Sequence, residues 1–521
     1  MGEFQFGVDR LNTGLALDLA RGNINGSFSK AKKKIQAASS CIASITKNGD
    51  AVYGVNTGLG PLCTTKIKDT ELQKLQDHLL RSHSVGVGAL MPKEIVKIML
   101  VLKIHSLSFG HSGVQLETLE RLKYFLDNDL IPTVPSQGSV GASGDLAPLA
   151  HLCLPLIALG YFHSDKGPIK SSELLKKHKL KPILLAPKEG LALINGTQFI
   201  AAYTVAGLER LKNSLDCADI LGAISLEGLM GSATPFDKRL HEIRPFKGNQ
   251  LVAHRLRSLL NNSKILSSHV DCDRVQDPYS IRCMPQVHGA SRNAWLHLKE
   301  LCEIEINSVT DNPIIFENNE VLSGGNFHGQ PLALCLDYAV IAAHELGNIS
   351  DRRTYLLLEG KQKGLPVFLM KNAGINSGFM IPQYTSAALV SENKGLCFPS
   401  SADSIPTSNG QEDHVSMGSI SGRRLITVID NVEKVLAIEL LCGSQAFDFR
   451  RPLKSSPILE SCHHLIRKHI DHAEEDRVFG DDIEKARLLI NSGKLRQCCD
   501  ESAQKNKIDL NGEHDELFRI Y

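Results

Sequence analysis

Neither sign of charge is in excess: 58 Lys and Arg face 57 Asp and Glu, a net charge of +1. That balance leaves no electrostatic footprint for nucleic acid or for an anionic membrane surface, and suits a small neutral or zwitterionic partner. Aromatic residues are scarce, at 5% with the single tryptophan Trp295, and the Leu, Ile and Ala that replace them favour helices over sandwiches. The 13 cysteines are odd in number, scattered, and never spaced C-x-x-C. This excludes a zinc ribbon and a secreted disulfide framework, and places the chain in a reducing cytoplasm. Long apolar runs are also missing. Residues 146–159 are broken by Pro148 and Pro155, residues 332–343 by Asp337, and neither run spans a bilayer. The first residues lack a basic segment followed by an apolar one, and Phe6 stands where a myristoylation motif needs Ser or Thr, so an unprocessed soluble protein is expected. No Gly-rich nucleotide loop follows a strand pattern. His344-Glu345-Leu346-Gly347-Asn348 lacks the second His of a zinc-protease helix. His463, His464, His469 and His472 read as a solvated basic face, so neither a metal nor a dissociable cofactor is expected.

What is present is helical periodicity over a chain of 521 residues, long enough for a large core. Leu425, Val428, Ile429, Val432, Val435 and Leu436 recur at three and four residues, one buried stripe of a long amphipathic helix. Residues 332–349 are apolar almost all round, as in a helix enclosed by others. Similar patterns occupy 94–107, 116–126 and 198–229. The expected fold is mainly α: a long central helix bundle over residues 195–521, with a smaller mixed, loop-rich N-terminal domain over 1–194. Residues 164–181 read as a surface excursion, and the polar tail from about residue 500 as loosely held. Gly-, Ser- and Asn-rich gaps, among them 323–326 and 401–410, are loops on which chemistry can sit.

The most specific of these gaps is Val140-Gly141-Ala142-Ser143-Gly144-Asp145-Leu146. In a tight bend the Gly144 nitrogen can attack the Ala142 carbonyl, and loss of two waters leaves a five-membered ring with a methylene made from Ser143. Ser143 provides the departing hydroxyl, Gly144 has no Cβ to obstruct its own nitrogen, and Gly141 opens backbone angles closed to other residues. Asp145 is suited to cap the helix that follows, which would set the ring at the positive end of a helix dipole.

This stretch resembles the signature of the aromatic amino acid ammonia-lyases and aminomutases, whose methylidene-imidazolone forms autocatalytically from such an Ala-Ser-Gly triplet. Further blocks extend the resemblance from about residue 50 to residue 445. Tyr53, in Val52-Tyr53-Gly54-Val55-Asn56, matches the family's catalytic acid or base near the ring. Ser82-His83-Ser84 lies where the family selects its aromatic substrate, and His83 argues against a phenylalanine enzyme better than it separates histidine from tyrosine. Asn195-Gly196-Thr197 implies that Asn195 hydrogen-bonds the ring oxygen or the substrate amine. Gln276-Asp277-Pro278-Tyr279-Ser280-Ile281-Arg282 supplies a guanidinium fork for the substrate carboxylate. It also supplies Tyr279 for the β-proton, with Gln276 beside the substrate. Phe327, in Gly324-Gly325-Asn326-Phe327-His328-Gly329, is expected against the ring or substrate. Glu412, in Gln411-Glu412-Asp413-His414, is Glu where the phenylalanine and tyrosine enzymes carry Gln. Its carboxylate would pair with an imidazole through a charge-assisted bond worth about 1.5–3 kcal/mol. Gly329-Gln330, His288 and Gly410 depart from the family's usual residues.

The resemblance implies removal of ammonia from an aromatic amino acid, histidine being the substrate Glu412 favours. The electrophile could act by taking up the substrate amine or by accepting its ring, and the residues leave both open. A tyrosine lyase, an aminomutase and an inactive helical assembly protein are the alternatives. A homotetramer with active sites shared between subunits is expected, with no nucleic-acid or membrane partner.

Overall fold

The computed structural model describes residues 3–48, 51–269, 275–317 and 320–521. Among these are twenty α-helices and four sheets of two short strands each, so the protein is mainly α. Its centre is formed by Gln198–Gly228, Met284–Glu305, Gln330–Leu358 and Gly418–Asp448. Every member of the stripe from Leu425 to Leu436 is fully buried. Close helix approach is possible because Gly207 leaves room for Leu425, whose Cδ2 lies 2.6 Å from where a Cβ would stand. Arg210 then ties two of these helices together through Asp430 at 2.5 Å and Glu433 at 2.7 Å. The turn between Glu189–Ile194 and Gln198–Gly228 sits where a domain boundary is expected, and one continuous apolar core crosses it.

The bundle interior is also charged. Asp219 receives Arg292 at 2.5 Å, Arg255 at 2.9 Å and the His288 Nδ1 at 2.9 Å. Glu439 binds Arg353 at 2.5 Å, and the other side of the His288 ring meets Arg353 at 3.2 Å. Burial pushes the His288 pKa down, so a neutral ring donates to Asp219 and accepts from Arg353. The unusual histidine at 288 therefore bridges a buried anion and a buried cation, each of which would cost several kcal/mol to leave alone.

Two expectations are corrected. The tail beyond residue 500 is not loose: Lys494–Lys505 is a helix, Phe518 is fully buried beside Trp295 at 6.4 Å, and the Ile520 carbonyl accepts from Gly14. The histidine cluster is not a uniformly solvated face. His463 and His472 each hold Asp448 at 2.8 Å, and His463 is buried, while His464 and His469 are exposed. Separately, Gln330–Leu358 is, by length and composition alone, long and apolar enough to cross a membrane, a test that a buried core helix also passes. In this fold 67% of its most apolar window is buried by neighbouring helices.

Candidate active site

Gly141 and Gly144 both adopt positive φ, +67° and +73°. A Cβ on Gly144 would stand 2.2 Å from the Gly196 carbonyl oxygen, and one on Gly141 2.2 Å from Ser416 Oγ. The bend is held from outside by Asp145 N donating to Gly196 O at 2.7 Å, Ser416 Oγ to Gly141 O at 3.2 Å and Met417 N to Val140 O at 3.0 Å. Two bare glycines in a crowded cradle fit the ring-forming triplet, since side chains there would displace the backbone that must close on itself.

Asp145 does not cap its own helix, Leu146–Cys153. At φ −98° and ψ 58° it lies outside the extended region a cap requires. Its buried carboxylate instead accepts from Ile200 N at 3.0 Å and from Ser139 Oγ at 3.0 Å, and so caps the start of the 198–228 helix. Burial pushes its pKa up to about 7. Two helix N-termini thus meet at the 142–144 loop, and both favour negative charge developing there.

Around Ser143 the structure brings together four of the expected residues. Ser143 Oγ donates to Glu412 Oε1 at 2.6 Å, and Asn195 Nδ2 donates to the Ser143 carbonyl at 2.5 Å. Glu412 also accepts from Thr407 Oγ1 at 2.7 Å and Ser408 Oγ at 2.9 Å. Burial pushes its carboxyl up, but these three hydrogen bonds and nearby His83 outweigh burial and hold it below its usual value. His83 ends the Leu72–His83 helix, with Nδ1 bonded to the Leu79 carbonyl at 2.9 Å. Burial lowers its pKa, partly offset by that bond and by Glu412. The neutral ring, bonded to that carbonyl, therefore carries its proton on Nδ1 and keeps Nε2 as an acceptor. Tyr53 is half-buried, its hydroxyl accepting from Gly60 N at 3.4 Å. Burial raises its pKa, which keeps the phenol protonated.

The 323–329 loop packs beside this cluster. Gly324 N donates to Asn312 Oδ1 at 2.8 Å, and His328 meets the His414 carbonyl at 3.2 Å. Phe327 is half-buried in it. Gly329 has a steric reason: its Cβ would stand 2.7 Å from Ile200 Cδ1. At Gly410, φ is +83° with open space around it, a backbone state glycine and asparagine both tolerate.

Gln276, Tyr279 and Arg282 are not brought to this cluster. Gln276 and Arg282 line a cavity of about 880 Å³ with Gly231, Ser232, His269 and Gln286. Tyr279 is 71% exposed, with the Arg282 guanidinium 4.7 Å over its ring. The side chains of Leu226, Ile281 and Asp277 all crowd Gly231, just past the C-terminal end of the 198–228 helix, whereas Ile200 near its start binds Asp145. At about 1.5 Å per residue, the 26 residues from Ile200 to Leu226 separate the two groups by roughly 40 Å.

Sequence reasoning missed Lys103. Its ammonium is buried and donates to the Asn195 carbonyl at 2.7 Å, and burial brings its pKa down to about 8. The signal was a lone lysine inside the apolar run of the Lys93–Ser108 helix. Lys103→Met should leave that carbonyl unpaired at a cost of about 1–3 kcal/mol. The expected result is a lower Tm in thermal unfolding and, by intact mass, a larger fraction of chains that have not lost water. Unchanged values in both would refute a role for Lys103 in holding Asn195.

A backbone loop shaped for self-condensation, with a carboxylate, an amide and a phenol around it, is the equipment of an amino acid lyase. Residues 16–468 match the family described as aromatic amino acid lyase, and the chain belongs to that family, whose members work through a methylidene-imidazolone. It is 49% identical over 483 residues to histidine ammonia-lyase of Sorangium cellulosum, covering 91% of this chain and 94% of the relative. The solved structure of histidine ammonia-lyase from Trypanosoma cruzi superposes with a TM-score of 0.90 at 39% identity, over 100% of this chain and 97% of that one. A tyrosine aminomutase from Streptomyces globisporus gives 0.91 at 32% identity, over 96% and 99%.

Proposed function

We propose that the chain removes ammonia from L-histidine without oxidation, giving trans-urocanate. The observation that carries this reading is the Glu412 carboxylate held 2.6 Å from the Ser143 hydroxyl, with His83 beside it. The methylidene-imidazolone made from Ala142, Ser143 and Gly144 supplies an electrophilic methylene. Its formation would expel the Ser143 hydroxyl and so would leave Glu412 Oε1 free to accept a new donor. With His83 Nε2 that makes two acceptors, which suit the two N–H groups of an imidazolium; a phenol has one donor and a phenyl ring none. Asn195 supports the Ser143 carbonyl with its Nδ2, and its Oδ1, buried and unpaired among the described residues, is open to an amine. Tyr53, protonated, serves as a proton donor. Arg282 holds the substrate carboxylate, Gln276 lies beside it, Tyr279 takes the β-proton and Phe327 packs against the ring.

A complete site then needs more than one chain, and we propose a homotetramer. Leu334, Tyr338 and Ile341 recur at helical spacing as an exposed apolar stripe on the 330–358 helix, and Ile381 and Tyr384 continue it on Met380–Leu396. We also propose the division at Asn195 into an electrophile-bearing part and a bundle part. A cytoplasmic location fits the twelve described cysteines, all free.

The test is incubation with L-histidine, L-tyrosine and L-phenylalanine in parallel, with each unsaturated acid followed by absorbance. Urocanate should dominate; cinnamate or coumarate as the main product would overturn the assignment. Glu412→Gln keeps the shape but loses the charge, and should lower kcat/KM for histidine about ten- to a hundredfold.

A further inference from the structure

The turn that leads into Glu412 is built at a conformational cost. Ser408, Asn409 and Gly410 stand in succession at positive φ, +51°, +54° and +83°, a left-handed run that two non-glycine residues hold only under constraint. Main-chain bonds impose it. Thr407 N donates to the Glu412 carbonyl at 2.9 Å, Gly410 N to Thr407 O at 3.0 Å and Gln411 N to Ser408 O at 3.1 Å. Residues 408–411 are all exposed, so no apolar burial at the tip offsets the strain.

What the bend achieves is to aim two hydroxyls at one atom. Thr407 Oγ1 at 2.7 Å and Ser408 Oγ at 2.9 Å both donate to Glu412 Oε2, whereas Oε1 takes the Ser143 hydroxyl at 2.6 Å. A carboxylate oxygen offers about two lone pairs, so Oε2 is filled. The donors are also neutral. A lysine or arginine in their place would hold the carboxylate as firmly but would consume the negative charge that a cationic ring needs. Hydroxyl donors instead favour the ionised form and leave that charge in place.

We propose that Thr407 and Ser408 are positioning residues for substrate selection: by filling Oε2 they present Oε1 as the one acceptor for an imidazole N–H once the Ser143 hydroxyl has left. This rests on the histidine reading above and gives the reason that Glu412 can discriminate. A glutamate has three rotatable bonds, and a free one would have to be ordered anew each time a substrate bound. Here the ordering is done when the chain folds. The strain of the 408–410 turn is then the cost of a carboxylate already aimed, a use of backbone strain common at binding sites.

The test separates ring recognition from everything else the site does, using two acids that share a carboxylate and differ in the ring. Imidazolepropionate and phenylpropionate are titrated into the intact protein by calorimetry, which needs no turnover. The wild type should prefer imidazolepropionate, and Glu412→Gln should lose most of that preference; if either fails, the histidine reading falls and this proposal with it. Thr407→Val combined with Ser408→Ala should weaken imidazolepropionate about tenfold and leave phenylpropionate within about twofold. Serine in place of valine at 407 should restore most of the loss, since it returns the hydroxyl. Intact mass should show the same loss of two waters as in the wild type. If the double variant keeps the wild-type preference while Glu412→Gln loses it, the hydroxyls do not aim the carboxylate and the proposal alone falls. It falls equally if both acids weaken together or the two waters are retained, because the turn is then structural.

Discussion

Ser143→Ala should reduce deamination at least about a thousandfold while leaving the fold in place. The hydroxyl of Ser143 is the group that must depart for a methylene to appear, and alanine has nothing to expel. The structural cost is small, because the only side-chain bond lost is the one to Glu412, which keeps Thr407 and Ser408 as donors. Two measurements settle the matter together. Intact mass should show the wild-type lighter than its translated sequence by two waters, with the variant retaining at least the water that Ser143 would have lost. Urocanate formation should fall in parallel. A wild-type protein of unaltered mass that works at full speed would end the reading of the 142–144 loop as an electrophile.

The second expectation concerns the roughly 40 Å between Ser143 and Arg282. Arg282→Met should lower kcat/KM on the order of 10²- to 10³-fold, since the guanidinium has a buried Nε without a described partner, an arrangement suited to a carboxylate. If sites are composite, this variant and Ser143→Ala disable different chains of the same site. Co-expressed in equal amounts, they should regain activity: about a quarter of sites would draw an intact Ser143 from one chain and an intact Arg282 from another. Mixed assemblies that form, as native mass spectrometry would show, yet remain as inactive as either parent would mean that each site uses a single chain.

Much of this was legible in the residues. The 198–228 helix and the buried stripe from Leu425 to Leu436, though not the full 418–448 extent of its helix, followed from spacing, because a buried stripe must repeat with the helical turn. Glu412 could be singled out by type, but its bond to Ser143 spans 269 positions and no local pattern encodes it. Asp145 has a good capping residue type; its backbone angles turned it toward a different helix, a tertiary preference that overrides a local one. His288 looked anomalous until Asp219 and Arg353 were placed on either side of it. The tail was misjudged because its polarity is high on average, whereas its anchoring comes from a few sparse tertiary contacts, among them the Ile520 carbonyl on Gly14 and Phe518 beside Trp295.

That last contact makes the chain its own optical gauge. The lone indole donates to the Leu208 carbonyl at 2.8 Å, carries Lys299 over its ring, and has the terminal segment as a lid. Its emission should be blue-shifted in the native protein, and trimming the last few residues with a carboxypeptidase should redden or dim it before any helix melts. Fluorescence would thus follow the docking of one small segment in solution, with no label attached.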